Sequence, residues 1–221
     1  MMEHIKQIEP VAFFRSPFTS KFGIPRQSGL AENLVGRIVF TQAYRQEEAV
    51  RGLEDFDYLW LIWGFSHNHG QSLTVRPPRL GGNERVGVFA SRSPFRPNGL
   101  GLSSVRISKI GQGEIEVLGA DLMDGTPIYD IKPYIPYADS HPAARGGFTD
   151  KKSWNTLQVE MPPSAESIFS PKDLQALTQS LALDPRPHYH HDSERVYGMP
   201  FGGKDVRFRV VGNKCIVVEI K

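Results

Sequence analysis

Residues 99–122 read GLGLSSVRISKIGQGEIEVLGADL, two strand-like runs either side of the turn Gly111-Gln112-Gly113. The first run, 99–110, places Val105, Ile107 and Ile110 in an extended segment. The second, 114–122, follows the glycine turn closely enough to pair with it as a hairpin. Outward from this hairpin the pattern repeats. Residues 56–65, FDYLWLIWGF, are rich in aromatic and β-branched side chains and read as a buried strand. Residues 35–40 form a short strand, and residues 4–14 a first one. Residues 128–137 are extended, and their prolines place them at a sheet edge or in a groove. Residues 46–54 predict a short helix with Ala49, Val50 and Leu53 on one face. Six or seven short strands, one short helix and many Gly/Pro turns predict a mainly β fold, a single closed or nearly closed β-barrel.

After Asp139 the composition changes. Residues 141–153 are small, polar and basic and read as a linker between a barrel at 1–140 and a small α+β unit at 154–221. Within that unit Ser170-Pro171-Lys172-Asp173 is a helix start, with Ser as N-cap and Pro at N1. The helix runs to about Leu183, before Asp184-Pro185-Arg186-Pro187. Residues 206–211 and 214–220, joined by Gly212-Asn213, read as a hairpin.

The net charge of +2 excludes a strong global field for nucleic acid, but the charge is uneven. Between 76 and 96 lie five arginines (76, 79, 85, 92, 96) and one acid, Glu84. A patch of this kind suits phosphate contact. The lone cysteine, Cys215, excludes an internal disulfide framework and fits a reducing cytosol. It stands in a strand-like run, as a small core or edge residue. The N-terminus lacks a signal-peptide apolar core, and no apolar run approaches the length of a membrane span. A cytoplasmic protein is expected.

Residues 81–104, GGNERVGVFASRSPFRPNGLGLSS, are expected to give two barrel staves, the first from the apolar run 86–90, with a different signal between them. Pro94 and Pro97 fix φ and hold Ser93 and Arg96 extended, so the octet 91–98 is a rigid basic loop. Either it is a preformed binding surface or an ordinary strand connection. Several standard sites fail. Gly99-Leu100-Gly101 lacks the third glycine of a dinucleotide fingerprint and opens a strand instead of a helix. There is no Walker A lysine, no Cys-x-x-Cys and no His-Glu-x-x-His. His188-Tyr189-His190-His191-Asp192 lacks a second ligand cluster, so no metal is expected. Three groups remain: Pro25-Arg26-Gln27; His67-Asn68; and Arg92–Asn98 with Asp124-Gly125-Thr126-Pro127. Each sits at a strand end, so in a barrel they converge at one rim and suit a polar, mostly neutral small molecule.

The segments FGIPRQSGL (22–30), VRPPRL (75–80), GVFASRSPFRP (87–97) and DGTPIYDIKPYIPY (124–137) strongly resemble the TsaA/TrmO (YaeB-like) family. The resemblance covers residues 1 to about 140 closely, and the tail is similar to the family's bacterial C-terminal domain. It implies a single-barrel tRNA methyltransferase that uses S-adenosylmethionine on N6 of N6-threonylcarbamoyladenosine at position 37, beside the anticodon. It further implies that Pro25, Arg26, Gln27, His67, Asn68, Arg92, Leu102, Asp124, Gly125, Thr126 and Pro127 surround the cofactor. A homodimer with sites near the subunit interface is implied as well.

For that reaction Asp130 is the expected base, although a partner for Lys132 or an arginine is an equal reading of it. Lys132, Arg96 or Arg76 would pair with the threonine carboxylate. Tyr134 and Phe95 would stack on a splayed-out base. Lys204, Arg207 and Arg209 would reach the anticodon arm of the tRNA partner. A non-catalytic small-molecule sensor or RNA-binding barrel is the alternative.

Overall fold

The computed structural model describes residues 7–68, 70–77, 80, 84–150, 156–187, 190 and 192–221. Its strands, in chain order, are β1 (Ala12–Arg15), β2 (Val35–Phe40), β3 (Tyr58–Gly64), β4 (Thr74–Val75), β5 (Val86–Gly87), β6 (Leu100–Gly111), β7 (Glu114–Leu118), β8 (Pro127–Pro133), β9 (Gln158–Glu160), β10 (Tyr197–Phe201), β11 (Lys204–Val211) and β12 (Lys214–Ile220). Its α-helices are α1 (Pro136–Asp139), α2 (Ala165–Ile168) and α3 (Pro171–Ala182).

The barrel expected from the strand count is present and closed, in the order β1-β2-β7-β6-β3-β8. Its centre is the quoted hairpin, where Gly111 pairs with Glu114 and Gly113 takes a left-handed φ of 76°. Period-2 alternation explains closure. On β3, Leu59, Leu61 and Trp63 are buried inside, while Trp60 and Ile62 stand on the outer wall. Phe14, Ile38, Val105, Ile115, Val117 and Ile128 complete the interior. Two glycines make room there. A methyl at Gly36 would overlap the Phe14 ring, and one at Gly101 would overlap the Trp63 indole.

Four expectations need correction. Residues 46–54 are not an α-helix but parts of the 3-10 turns Glu47–Ala49 and Leu53–Asp55, because Gly52 at φ 87° breaks the segment between Val50 and Leu53. Those two side chains still pack on the barrel core. The apolar run 86–90 is not a barrel stave. Val86-Gly87 pairs with β4 in a separate two-stranded ribbon, and Val88–Ala90 turns as a 3-10 helix. Residues 128–137 are neither edge strand throughout nor extended throughout: β8 is paired with β3 as far as Pro133 but with β1 only at Pro127 and Ile128, its prolines stand at its two ends, and Pro136 opens helix α1. The described part of the first strand is short, Ala12–Arg15, and residues 1–6 lie outside the described residues.

The second sheet runs β10-β11-β12-β9, with β9 parallel to β12. The β11–β12 hairpin turns at Gly212, φ 59°. Helix α3 starts as its sequence requires: Ser170 Oγ accepts from the Asp173 N–H at 3.2 Å, with Pro171 at N1. Such a cap contributes about 1 kcal/mol. Ala176, Leu177 and Leu181 press α3 onto the sheet. Cys215 is buried in this core, and burial pushes its thiol up to about 12, which leaves it protonated and unreactive at neutral pH. The same core takes in Phe18, Ala31 and Leu34 from the chain between β1 and β2. Most of the 141–153 stretch is described as turns and the 3-10 segment Gly147–Asp150, while residues 151–155 lie outside the described residues.

Candidate functional site

Strand directions place three connections at one end of the barrel: 16–34 after β1, 65–99 after β3, whose 91–98 loop closes onto β6, and 119–126 after β7. Backbone hydrogen bonds tie them together. The Gly29 N–H donates to the Gly119 carbonyl (2.8 Å), Gly119 to Leu34 (2.9 Å), Asp124 to Phe18 (2.9 Å) and Phe65 to Gly99 (2.8 Å). The expected convergence of strand-end motifs is therefore observed.

Side chains bridge the same loops. Arg92 donates to Gln27 Oε1 at 2.6 Å, and Gln27 Nε2 donates to the Arg26 carbonyl at 2.6 Å. Pro25 is buried behind them. Lys21 donates at 2.8 Å to both the His67 carbonyl and Asn68 Oδ1. Asp124 pins its own turn: Oδ1 accepts from the Ser16 N–H at 3.1 Å, and Oδ2 lies 3.5 Å from Arg15. Gly125 has φ 78°, which the turn requires, and its N–H reaches the Phe14 carbonyl. Thr126 is buried, its hydroxyl bonded to the Met123 carbonyl.

Leu102 and Asp130 lie elsewhere, on the outer wall. Leu102, Ile62 and Asp130 form one row across β6, β3 and β8; Ser104, Trp60 and Lys132 form the next. Leu102 is 52% exposed. Asp130 accepts from the Ile131 N–H and pairs with Lys132 at 2.8 Å, which raises the Lys132 pKa. Tyr134 packs at a tilt against Trp60 and edge-on to Tyr58, at 5.6 and 6.2 Å between ring centroids. Trp60 in turn donates to Asp139, and the carboxyl of Asp139 sits below its usual range because the Ile135 N–H and the Trp60 indole both bond to it.

The arginines divide. Arg96 folds back and donates to the Ser91 carbonyl at 2.9 Å, closing its own loop. Arg76 is exposed, and Phe95 is 44% exposed on the same arm. Arg85 donates to the Thr74 hydroxyl, and Arg79 lies outside the described residues. In the second sheet Arg207 is paired with Asp205 and Glu219, Arg209 with Glu194, and Lys204 is exposed. His188, Tyr189 and His191 lie outside the described residues, and no metal-sized group of His, Cys, Asp and Glu occurs among the described ones.

Sequence reasoning missed Asp121. Trp63 Nε1 donates to Ser103 Oγ at 2.9 Å, and Ser103 donates to Asp121 Oδ1 at 2.5 Å. The Ser28 N–H bonds to the same carboxyl, and Arg92 acts on it through space. Burial still dominates and raises its pKa above the ordinary carboxylate value. The available signal was a single acid in the apolar stretch VLGADL.

The rim presents donors and an acceptor for a polar ligand. Asn68 Nδ2 is buried and has no acceptor among the described residues, so a ligand carboxylate or ring nitrogen would satisfy it. Arg92 adds a cationic donor, and Asp121 an acceptor for cationic or hydroxyl groups.

Comparison with known proteins bears on the same loops. Residues 13–140 match the tRNA-methyltransferase O N-terminal domain and residues 155–221 the TrmO C-terminal domain. The chain belongs to the tRNA-methyltransferase O family. It is 40% identical over 218 residues to the Escherichia coli K12 tRNA (adenine(37)-N6)-methyltransferase, covering 92% of this chain and 93% of that one. It is 38% identical to a Pseudomonas aeruginosa protein described as a putative S-adenosylmethionine-dependent methyltransferase, RcsF, covering 91% of each. The crystal structure of TrmO from Pseudomonas aeruginosa superposes with a TM-score of 0.81 at 31% identity, over 98% of this chain and 99% of that one. Both family domains are thus matched on this chain, on a mainly β architecture.

Proposed function

We propose that this chain transfers a methyl group from S-adenosylmethionine to N6 of N6-threonylcarbamoyladenosine at position 37 of tRNA. The observation that carries this reading is the rim, where the 25–27, 67–68, 92 and 124–127 segments meet on a family barrel whose relatives are named for that position. A cytosolic location follows from a tRNA substrate.

When bound, S-adenosylmethionine supplies an electrophilic methyl on a positively charged sulfur. Arg26, Gln27, Arg92, His67 and Asn68 would hold its polar groups, with Pro25 behind them. The 124–127 turn would line the same site with its backbone. Leu102 would add an apolar surface from the wall. These residues must keep N6 in line with the methyl, about 3–3.5 Å away. In the threonylcarbamoyl base the N6 lone pair is delocalised, so losing the N6 proton aids attack. Asp130 is the proposed acceptor. Lys132 stays protonated through neutral pH beside it, as a partner for the threonine carboxylate. Arg76 and Phe95 on the exposed arm suit the carboxylate and the base face. Arg96 is less suited, because its guanidinium serves loop carbonyls. Asp121 is the second carboxyl the geometry offers for the N6 proton.

The exposed side chains Leu73, Phe89, Leu102 and Tyr58 on the arm and wall support a homodimer that brings the wall row of one subunit to the rim of the other.

Substitutions test the assignment. Arg92→Ala should weaken S-adenosylmethionine binding in calorimetry by roughly tenfold or more, the loss of one charge-assisted bond; unchanged affinity removes Arg92 from the site. Asp130→Asn should slow single-turnover methylation at saturating cofactor by about 100-fold or more. A wild-type rate would exclude Asp130 as the base and leave Asp121.

A further inference from the structure

The connection from β1 to β2 has two faces. Its polar residues look toward the barrel rim, where Gln27 meets Arg92 and Gly29 meets Gly119. Most of its apolar residues pack into the core of the C-terminal sheet. Phe22 stacks on Tyr197 and on Phe208, with centroids 6.3 and 6.2 Å away and planes within 17°. Phe18 stands edge-on to Phe201 at 5.3 Å. Gly23 takes φ 94°, and any side chain there would overlap the Met199 thioether. Ile24 packs on the same core, and Ala31 and Leu34 are buried in it. Two hydrogen bonds fasten the flanks: the Gly202 N–H to the Pro17 carbonyl at 3.0 Å, and the Asn33 N–H to Gln179 Oε1 on α3 at 2.9 Å.

Residues 16–34 contain no strand or helix. The loop therefore takes its rigidity from contacts with other elements, Arg92 on the rim side among them. The second sheet supplies that rigidity from behind.

We propose that the C-terminal sheet is a positioning element for the cofactor loop, setting affinity for S-adenosylmethionine through Phe22, Met199, Tyr197 and Phe208 without touching the cofactor. The proposal rests on the reading of residues 25–27 as cofactor contacts. A loop held in its bound shape loses less conformational freedom on binding, so loosening its support weakens affinity. Truncating Met199 opens space beneath Gly23 and Ile24. Truncating Val217 opens a comparable space on β12, which is separated by β11 from the strand bearing Met199.

The test compares full-length Met199→Ala, Met199→Leu and Val217→Ala by thermal melting, by calorimetry with S-adenosylmethionine, and by turnover. Met199→Ala should raise Kd about tenfold, or 1.4 kcal/mol, with kcat at saturating cofactor little changed. Met199→Leu should restore the wild-type Kd. Val217→Ala should lower Tm to a similar extent and keep Kd within about twofold. Equal Kd changes in Met199→Ala and Val217→Ala, or none in either, would overturn the proposal. Gln179→Ala, which removes only the Asn33 bond, should raise Kd about twofold to threefold. It carries the test if Met199→Ala does not fold, and an unchanged Kd then overturns the proposal. Gln27→Ala separates the two ideas. If it leaves Kd unchanged, the cofactor-loop reading fails; if it weakens binding while Met199→Ala does not, only the positioning role fails.

Discussion

Asp121 takes up a proton more readily in the folded chain than in the unfolded one, because burial outweighs the bonds from Ser103 and Ser28 and the charge of Arg92. The sign for stability follows. Between the ordinary carboxylate pKa and the raised one, the folded state binds more protons, so this group's contribution falls as pH rises through that window. Asp121→Asn keeps an oxygen for the Ser103 hydroxyl and removes the charge. Its Tm should exceed wild type at pH 7–8, and the gap should close near pH 4. A gap that widens at low pH would contradict this account. None of it was legible locally. Asp121 reads as one residue near the end of the 114–122 run until the fold brings Ser103 and Trp63 to it from other strands.

At the scale of elements, the long patterned strands were legible because period-2 burial wrote itself into 35–40, 56–65 and 99–122. Short segments were not. Residues 46–54 have three apolar positions and a glycine, too little to outweigh the cost of nucleating a helix. Residues 86–90 are apolar enough for a stave, but Val88 turns inward instead. Gly101 makes room for the Trp63 indole. Gly101→Ala should therefore destabilise the barrel by about 1–3 kcal/mol in urea unfolding, since the indole has little room to yield. Gly87→Ala, where a methyl meets open space, should stay within about 0.5 kcal/mol. Equal costs would show that the packing of Trp63 on β6 is not tight.

At the scale of the whole molecule, the rim was readable because each motif ended a strand, and a closed barrel forces alternate strand ends together. The embrace of 17–34 by the second sheet was not readable. It joins Phe22 to Tyr197 and Phe208 across most of the chain, and no local pattern encodes that. The candidate residues thus divide between a rim, held from behind, and a wall carrying Leu102 and Asp130 in one row and Lys132 in the next. The central claim, that this assembly methylates a modified adenosine, is tested most directly by incubating the protein with methyl-labelled S-adenosylmethionine and tRNA carrying or lacking the threonylcarbamoyl group. The account predicts label in the modified tRNA alone, at N6 of position 37. Equal labelling of both tRNAs, or cofactor binding with no transfer to either, would contradict it.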